Sequence, residues 1–214
     1  EDYLSTSYLS IPAPNRKKLL LGSTIVSVIA GCVLFGAYKM NFLAYPYNLI
    51  RPLLLDGGGS QCLEGLDKAG ITYRKLGDTR DGSCMIINAV KIRHFPNTKI
   101  SSAIKVSCPT ALNIAYFFDE ISAKNVTHLG SYNCRERRGN SVISEHGYGT
   151  AIDISEINGV SVLSDWNNSE GKGQLLRQAH RSACKYFSNV LTPDSNAAHK
   201  NHFHFDNGLG IGCL

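Results

Sequence analysis

The sequence predicts an α+β fold: a small antiparallel sheet flanked by helices, preceded by one transmembrane helix. Three observations lead there. Residues 19–38 form one long uncharged apolar run. Beyond residue 60, stretches with strand periodicity interleave with stretches of helical periodicity. Two short blocks in the second half, 144–153 and 199–206, combine His and Asp with a strand-like arrangement.

The elements follow in order. The run LLLGSTIVSVIAGCVLFGAY holds twenty residues without a charge, enough for a helix to cross a hydrocarbon core about 30 Å thick. Arg16, Lys17 and Lys18 precede it and only Lys39 follows closely. The positive-inside rule then leaves residues 1–18 in the cytoplasm and the rest of the chain outside. A cleaved signal peptide fits poorly, because the run is long and lacks a small-residue cleavage site. Residues 41–55 are apolar and broken by Pro46 and Pro52, suiting the outer membrane–water interface or a protein partner. Asp56-Gly57-Gly58-Gly59-Ser60 reads as a flexible hinge. A juxtamembrane segment at 39–61 and a folded domain at 62–214 result.

Inside that domain, residues 85–92 (MIINAVKI) read as a strand. Residues 109–123 read as a helix with Pro109 in its first turn and Leu112, Tyr116 and Phe117 on its apolar face. Residues 149–154 read as a buried strand after a Gly-broken turn. Residues 174–189 read as an amphipathic helix with Leu176, Ala179, Ala183 and Phe187 on one face, and Pro193 ends helical structure soon after. Residues 202–206, HFHFD, alternate strictly and read as a strand.

Charge and cysteine content narrow the function. The net charge of +5 comes without a long basic block, which argues against nucleic acid as a partner and is compatible with a polyanionic surface such as a membrane or a wall. Of seven cysteines, Cys32 lies in the apolar run. The other six are Cys62, Cys84, Cys108, Cys134, Cys184 and Cys213, and no CxxC pair occurs. An even number of scattered cysteines outside a membrane segment reads as three disulfides formed in an oxidising compartment. Cys134–Cys184 is the expected single pair, since Cys134 precedes the first His/Asp block and Cys184 lies on the helix expected to pack behind it.

The two blocks carry the chemistry. In SEHGYGTAID, His146 and Asp153 are seven residues apart, an odd spacing that points them to opposite faces of a continuous strand. Gly147 and Gly149 can bend the backbone so that both turn to one point. In HKNHFHFD, His202, His204 and Asp206 share one face of a strand, and Phe203 and Phe205 share the other. Singly, each residue has an ordinary explanation as a surface histidine, a turn cap or an edge-strand residue. Together they supply more than the two histidines and one carboxylate that suffice for a catalytic zinc, whose remaining position holds a water acidified toward pKa about 7.

The pattern Ser-x-His-x-x-Gly-x-Ala-x-Asp followed by His-x-His resembles the zinc peptidase superfamily of lysostaphin-type enzymes, D-Ala-D-Ala metallopeptidases and hedgehog domains. Within it, the chain is most similar to the bacterial extensin-like C-terminal domain family. That likeness runs through Ser131-Tyr132-Asn133-Cys134-Arg135, SEHGYGTAIDI, Asp165-Trp166, Leu176-Arg177, Ala183-Cys184, Phe187 and Val190-Leu191-Thr192-Pro193 to His199 and HFHFD. It covers roughly residue 62 to the C-terminus, and no Pro-rich repeat of plant wall extensins is present. The resemblance implies Zn2+ held by His146, Asp153 and His204. It makes His202 a non-ligating general base or transition-state stabiliser, His199 an accessory histidine, and Arg135 the holder of a substrate carboxylate or carbonyl. The chain departs from the dipeptidase branch in lacking a glutamate near the last ligand, so the base role falls to histidine. Asp206 is better placed than Asp194 to support a ligand.

The resemblance and the topology together imply a single-pass protein of the bacterial inner membrane. Its periplasmic domain would be a metallopeptidase cutting amide bonds in peptidoglycan peptides. The alternative is a non-catalytic, zinc-containing domain that binds the cell wall or a protein partner in an envelope assembly such as a secretion system.

Overall fold

A computed structural model describes residues 44–210 together with 212 and 213. The predicted span at 19–38 and the segment before it lie outside the described residues. No helix among the described residues is long and apolar enough to cross a membrane.

Helix α1 (Ala44–Ile50) runs straight into a 3-10 turn (Arg51–Leu54) in which Pro52 sits at the start. The Gly-rich stretch expected as a flexible hinge takes up a defined turn. Gly58 and Gly59 have φ of +67° and +55°, values that glycine reaches without a Cβ penalty. Asp56 Oδ1 accepts from Gly58 N at 2.7 Å, and Asn88 Nδ2 donates to the Gly57 carbonyl at 2.7 Å. The turn leads directly into α2 (Gly59–Lys68). The stretch from 44 to 61 is thus built into the domain rather than strung before it.

Two sheets follow. β1 (Thr72–Asp81) and β2 (Cys84–His94) form a hairpin about Gly82-Ser83, with Gly82 at φ +56°. After the short β3 (Lys99–Ile100), β4 (Ile104–Ser107) completes an antiparallel sheet in the order β1-β2-β4. α3 (Cys108–Glu120) starts where β4 ends. Ser107 caps it, its hydroxyl accepting from Thr110 N, and Pro109 lies in the first turn as predicted. The second sheet comprises β5 (Asn125–Gly130), β6 (Ala151–Ile157), β8 (Asn189–Leu191), β9 (Phe203–Asp206), β10 (Gly212–Cys213) and β3, in the order β10-β8-β9-β6-β5-β3. β7 (Val160–Ser161) pairs with β6 off this path. Its centre is antiparallel and both end pairs, β8–β10 and β3–β5, are parallel. α4 (Val162–Asp165) and α5 (Gly171–Ala183) flank it.

The α+β class and the antiparallel centre agree with the sequence-based expectation. The strand expected at 85–92 is β2, and the helix expected at 109–123 is α3. The helix expected over 174–189 stops at Ala183, because Cys184 bonds to Cys213 and Asn189 is needed in β8. A last hydrogen bond from Phe187 N to the Ala183 carbonyl still delivers the Phe187 ring to the core. There Phe117 of α3 meets Phe205 of β9 edge-on at 5.3 Å, and Phe187 stacks on Phe205 at 5.2 Å. These rings back the strand whose opposite face carries the histidines.

All six outer cysteines are paired, as Cys62–Cys108, Cys84–Cys134 and Cys184–Cys213. The expected Cys134–Cys184 pair is therefore wrong. Cys134 lies in the loop after β5 and meets the start of β2, whereas Cys184 ends α5 beside the final strand.

Candidate metal centre

The centre forms where β6 and β9 pair. Asp153 stands directly opposite His204 in the antiparallel register, with Ile152 opposite Phe205 and Ile154 opposite Phe203. The pleat sends Phe203, Phe205, Ile152 and Ile154 into the core, all at or near zero exposure. His202, His204, Asp206 and Asp153 take the other face.

His146 arrives from a 3-10 turn (Glu145–Tyr148) capped by Gly149 at φ +63°. This is the bend that the odd His146–Asp153 spacing demanded. Both glycines have steric reasons as well: a Cβ at Gly147 would sit 2.8 Å from Cys84 Sγ, and one at Gly149 would sit 2.8 Å from Ile86. The turn is fixed from behind by Glu145, which is 2% exposed. Arg51, 3% exposed, donates Nε and a terminal nitrogen to the Glu145 carboxylate, the latter at 2.7 Å. Tyr47 OH also donates to Glu145, as does Thr150 Oγ1 at 2.6 Å. Burial and the Glu145 charge push the Tyr47 hydroxyl pKa well up. A buried carboxylate with so many donors is tolerable because its charge is matched.

Three atoms converge at the centre. Asp153 Oδ1 lies 2.8 Å from His204 Nδ1 and 3.2 Å from His146 Nε2, and the two nitrogens are 3.2 Å apart. The other ring nitrogens are already committed. His146 Nδ1–H donates to the Ser131 carbonyl at 2.7 Å, and His204 Nε2–H donates to Asp206 Oδ2 at 2.9 Å. Asp206 is itself held by Asn189 Nδ2 and Gly208 N, both at 2.7 Å. With the imidazoles neutral, these partners fix the tautomers so that two nitrogen lone pairs and a carboxylate oxygen face one point. Three acceptors cannot satisfy one another, so the point needs a cation, either a proton or a metal. Ligand atoms about 2.0–2.1 Å from a tetrahedral zinc stand about 3.3 Å apart, and the observed triangle is close to that. Histidines oriented by a carbonyl and a carboxylate are the usual outer support of zinc ligands. The donor set therefore fits the metal that the resemblance implies.

In the metal-free centre a proton takes that place. Burial opposes charge on His204, but Asp153 and Asp206 outweigh it and push its pKa up to about 9. Asp153, although buried, is held far below the ordinary carboxylate range by His146 and His204.

The remaining predicted site residues lie alongside. His202 Nε2 is 3.6 Å from Asp153 Oδ1, and its Nδ1–H donates to Asn201 Oδ1 at 2.9 Å. His199 Nδ1–H donates to Asn196 Oδ1 at 2.7 Å, and its ring lies 5.0 Å from that of His202. Burial lowers the pKa of both, that of His199 to about 4 with help from the neighbouring His204 and His202 charges. Both are thus neutral near pH 7, each with a free Nε2. Arg135 is exposed on the wall of a cleft of about 670 Å3 that opens over the histidines, with Arg137 and Arg138 beside it. The structure therefore gathers all six predicted residues around one cleft. Sequence reasoning missed Glu145, Arg51 and Tyr47. The charged pair Arg51 and Glu145 is separated by 94 residues, and no local pattern links them. Trp166 and Arg177, part of the same resemblance, serve the scaffold. The Trp166 indole donates to Asp194, and Arg177 donates to the Trp166 carbonyl.

Compared with protein families, the chain matches the one described as extensin-like protein C-terminus over residues 60–213. The chain belongs to this family. The match takes in the whole of the His/Asp centre and leaves out α1, Tyr47 and Arg51. No curated protein and no solved structure matches the chain.

Proposed function

We propose that this member of the extensin-like family is a zinc-dependent peptidase, anchored in the bacterial inner membrane by residues 19–38. Its domain lies in the periplasm and acts on amide bonds of peptidoglycan peptides. The observation that carries this reading is the convergence of His146 Nε2, Asp153 Oδ1 and His204 Nδ1 at the floor of an open cleft. Three ligands with an open side is the arrangement of a catalytic rather than a structural zinc. The three disulfides suit the oxidising compartment.

Bound there, zinc supplies Lewis acidity, polarising a carbonyl and acidifying water. His146, Asp153 and His204 hold it. His202, neutral and with Nε2 free, takes a proton from the attacking water and returns it to the leaving amine. His199 packs beside that ring. Arg135 offers its guanidinium fork to a carboxylate or carbonyl of the peptide stem.

The test is to incubate the zinc-loaded chain with purified wall fragments and look for new peptide termini. His202→Ala is expected to keep its zinc while turnover falls roughly a hundredfold. Bound zinc with no cleavage of any wall fragment would instead assign the domain to wall binding or to scaffolding of an envelope assembly.

A further inference from the structure

The segment 44–54 is a strap with two unlike faces. Its inner face is polar and pinned. Asn48 Nδ2 donates to the Ser141 carbonyl and its Oδ1 accepts from Ile143 N, while Tyr47 and Arg51 hold Glu145. Its outer face is apolar and bare: Leu53 is 80% exposed and Leu49 61%, with Ile50 and Leu54 close to half exposed. Four of the eight exposed large hydrophobics among the described residues fall in this six-residue stretch. The buried ion pair prevents the strap from rolling over to hide them.

We infer that this outer face is seated in the lipid headgroup region of the bilayer that residues 19–38 cross, and that it holds the domain at a fixed height and tilt. The inference rests on the membrane-span reading proposed above. Chain length chooses lipid over other occupants. Five residues, 39–43, separate the end of the apolar run from α1, and five extended residues reach at most about 18 Å. Wherever the run leaves a bilayer, the strap starts within that reach of the surface. Through Arg51 and Glu145 the seated strap is continuous with the turn that carries His146, so the cleft itself is set at a defined distance from the membrane.

The test uses the full chain reconstituted in vesicles of phosphatidylcholine and phosphatidylglycerol, with and without bromine on the acyl chains. The chain has a single tryptophan, Trp166, buried in the domain, which serves as the internal reference. With the face seated about 5–10 Å into the boundary, a Leu53→Trp variant is expected to lose roughly half of its added emission to brominated lipid. A Leu163→Trp variant, exposed on α4, is expected to lose none, and Leu49→Asn with Leu54→Asn is expected to reduce the quenching of the tryptophan at 53. Equal quenching at 53 and 163 overturns the inference, because the domain then lies on lipid without preference. A blue-shifted but unquenched tryptophan at 53 also overturns it, in favour of a protein partner or a second copy. If the chain fails to float with vesicles at all, the span reading falls and the inference with it. Flotation that resists high salt, with no quenching at 53, defeats the inference alone.

Discussion

The two halves of the candidate metal centre are built in different ways. The His204 half is local: one alternating pentapeptide places two histidines and Asp206 on one side and two phenylalanines on the other. The His146 half is assembled from afar. Its turn is held by Arg51 and Tyr47 from the strap, by Ser131 from the loop after β5, and by close contact with the Cys84–Cys134 bridge. A strand pattern can carry half a site in five residues, because the pleat alone decides direction. A turn cannot, and needs partners that sequence spacing does not announce.

The largest expected effect comes from breaking the local half. His204→Ala leaves two protein ligands and empties the outer partner Asp206. Zinc affinity is expected to fall by more than the roughly 100-fold upper limit seen for loss of an outer partner. Elemental analysis after dialysis against a competing chelator reads this directly. Glu145 is not a ligand, so the far-built half responds differently: its failure is one of folding.

Arg51→Met tests that. It leaves the Glu145 charge buried without its main partner, a situation that destabilises by about 3–5 kcal/mol. Both groups are almost wholly buried, so solvent screening does little to reduce the effect. Urea unfolding is expected to show the loss, and the double variant Arg51→Met with Glu145→Gln is expected to recover much of it. A chain trimmed to the family-matched residues 60–213 lacks Tyr47 and Arg51 and is expected to be destabilised to a similar degree.

This contrast explains what was legible beforehand. The HFHFD strand, the need for a bend at Gly147 and Gly149, and α3 were readable because period and glycine placement are local signals. β1 was missed because its mixed TYRKLGDTRD pattern hides a half-exposed hairpin strand. The Cys134 partner was misjudged because disulfide pairing depends on tertiary path. The strap was read as apolar, which holds for its outer face, but its Arg51 is buried and paired with Glu145 behind the site.

A smaller effect sharpens the local half. Asp206→Asn keeps the shape but has one acceptor oxygen where Asp206 uses two, for His204 on one side and for Asn189 and Gly208 on the other, and it removes the charge that makes the imidazole a better donor of its Nδ1 lone pair. Zinc affinity is expected to drop by about 10–100-fold, less than for His204→Ala. Competition against a fluorescent chelator resolves the two. An Asp206→Asn variant as damaged as His204→Ala would mean that Asp206 shapes the strand and does more than support one ring.

The smallest effect is in protons. In the metal-free protein His204 is pushed up to about 9 because the favourable charges of Asp153 and Asp206 exceed the burial penalty. A raised folded-state pKa contributes stability that is fully present below the unfolded value, about 6.5, and is lost as pH rises through about 9. Asp153 has the opposite sign: its depressed pKa contributes stability above the ordinary carboxylate range and loses it on acidification. Zinc requires the His204 Nδ1 lone pair, so binding at pH 7 must expel the proton held there. Calorimetry in two buffers of different ionisation enthalpy is expected to report release of about one proton at pH 7, shrinking toward zero above pH 9. Zinc affinity is expected to climb about tenfold per pH unit across that window and then level off. The zinc-loaded protein is expected to lack the decline in stability between pH 6.5 and 9 that the metal-free protein shows. His146 sits on the far-built half, where a backbone carbonyl rather than a carboxylate orients the ring. Substituting Asp206 should reduce the proton release without abolishing it, because Asp153 still favours the charged His204 ring, while Arg51→Met should leave its pH dependence in place in whatever fraction remains folded.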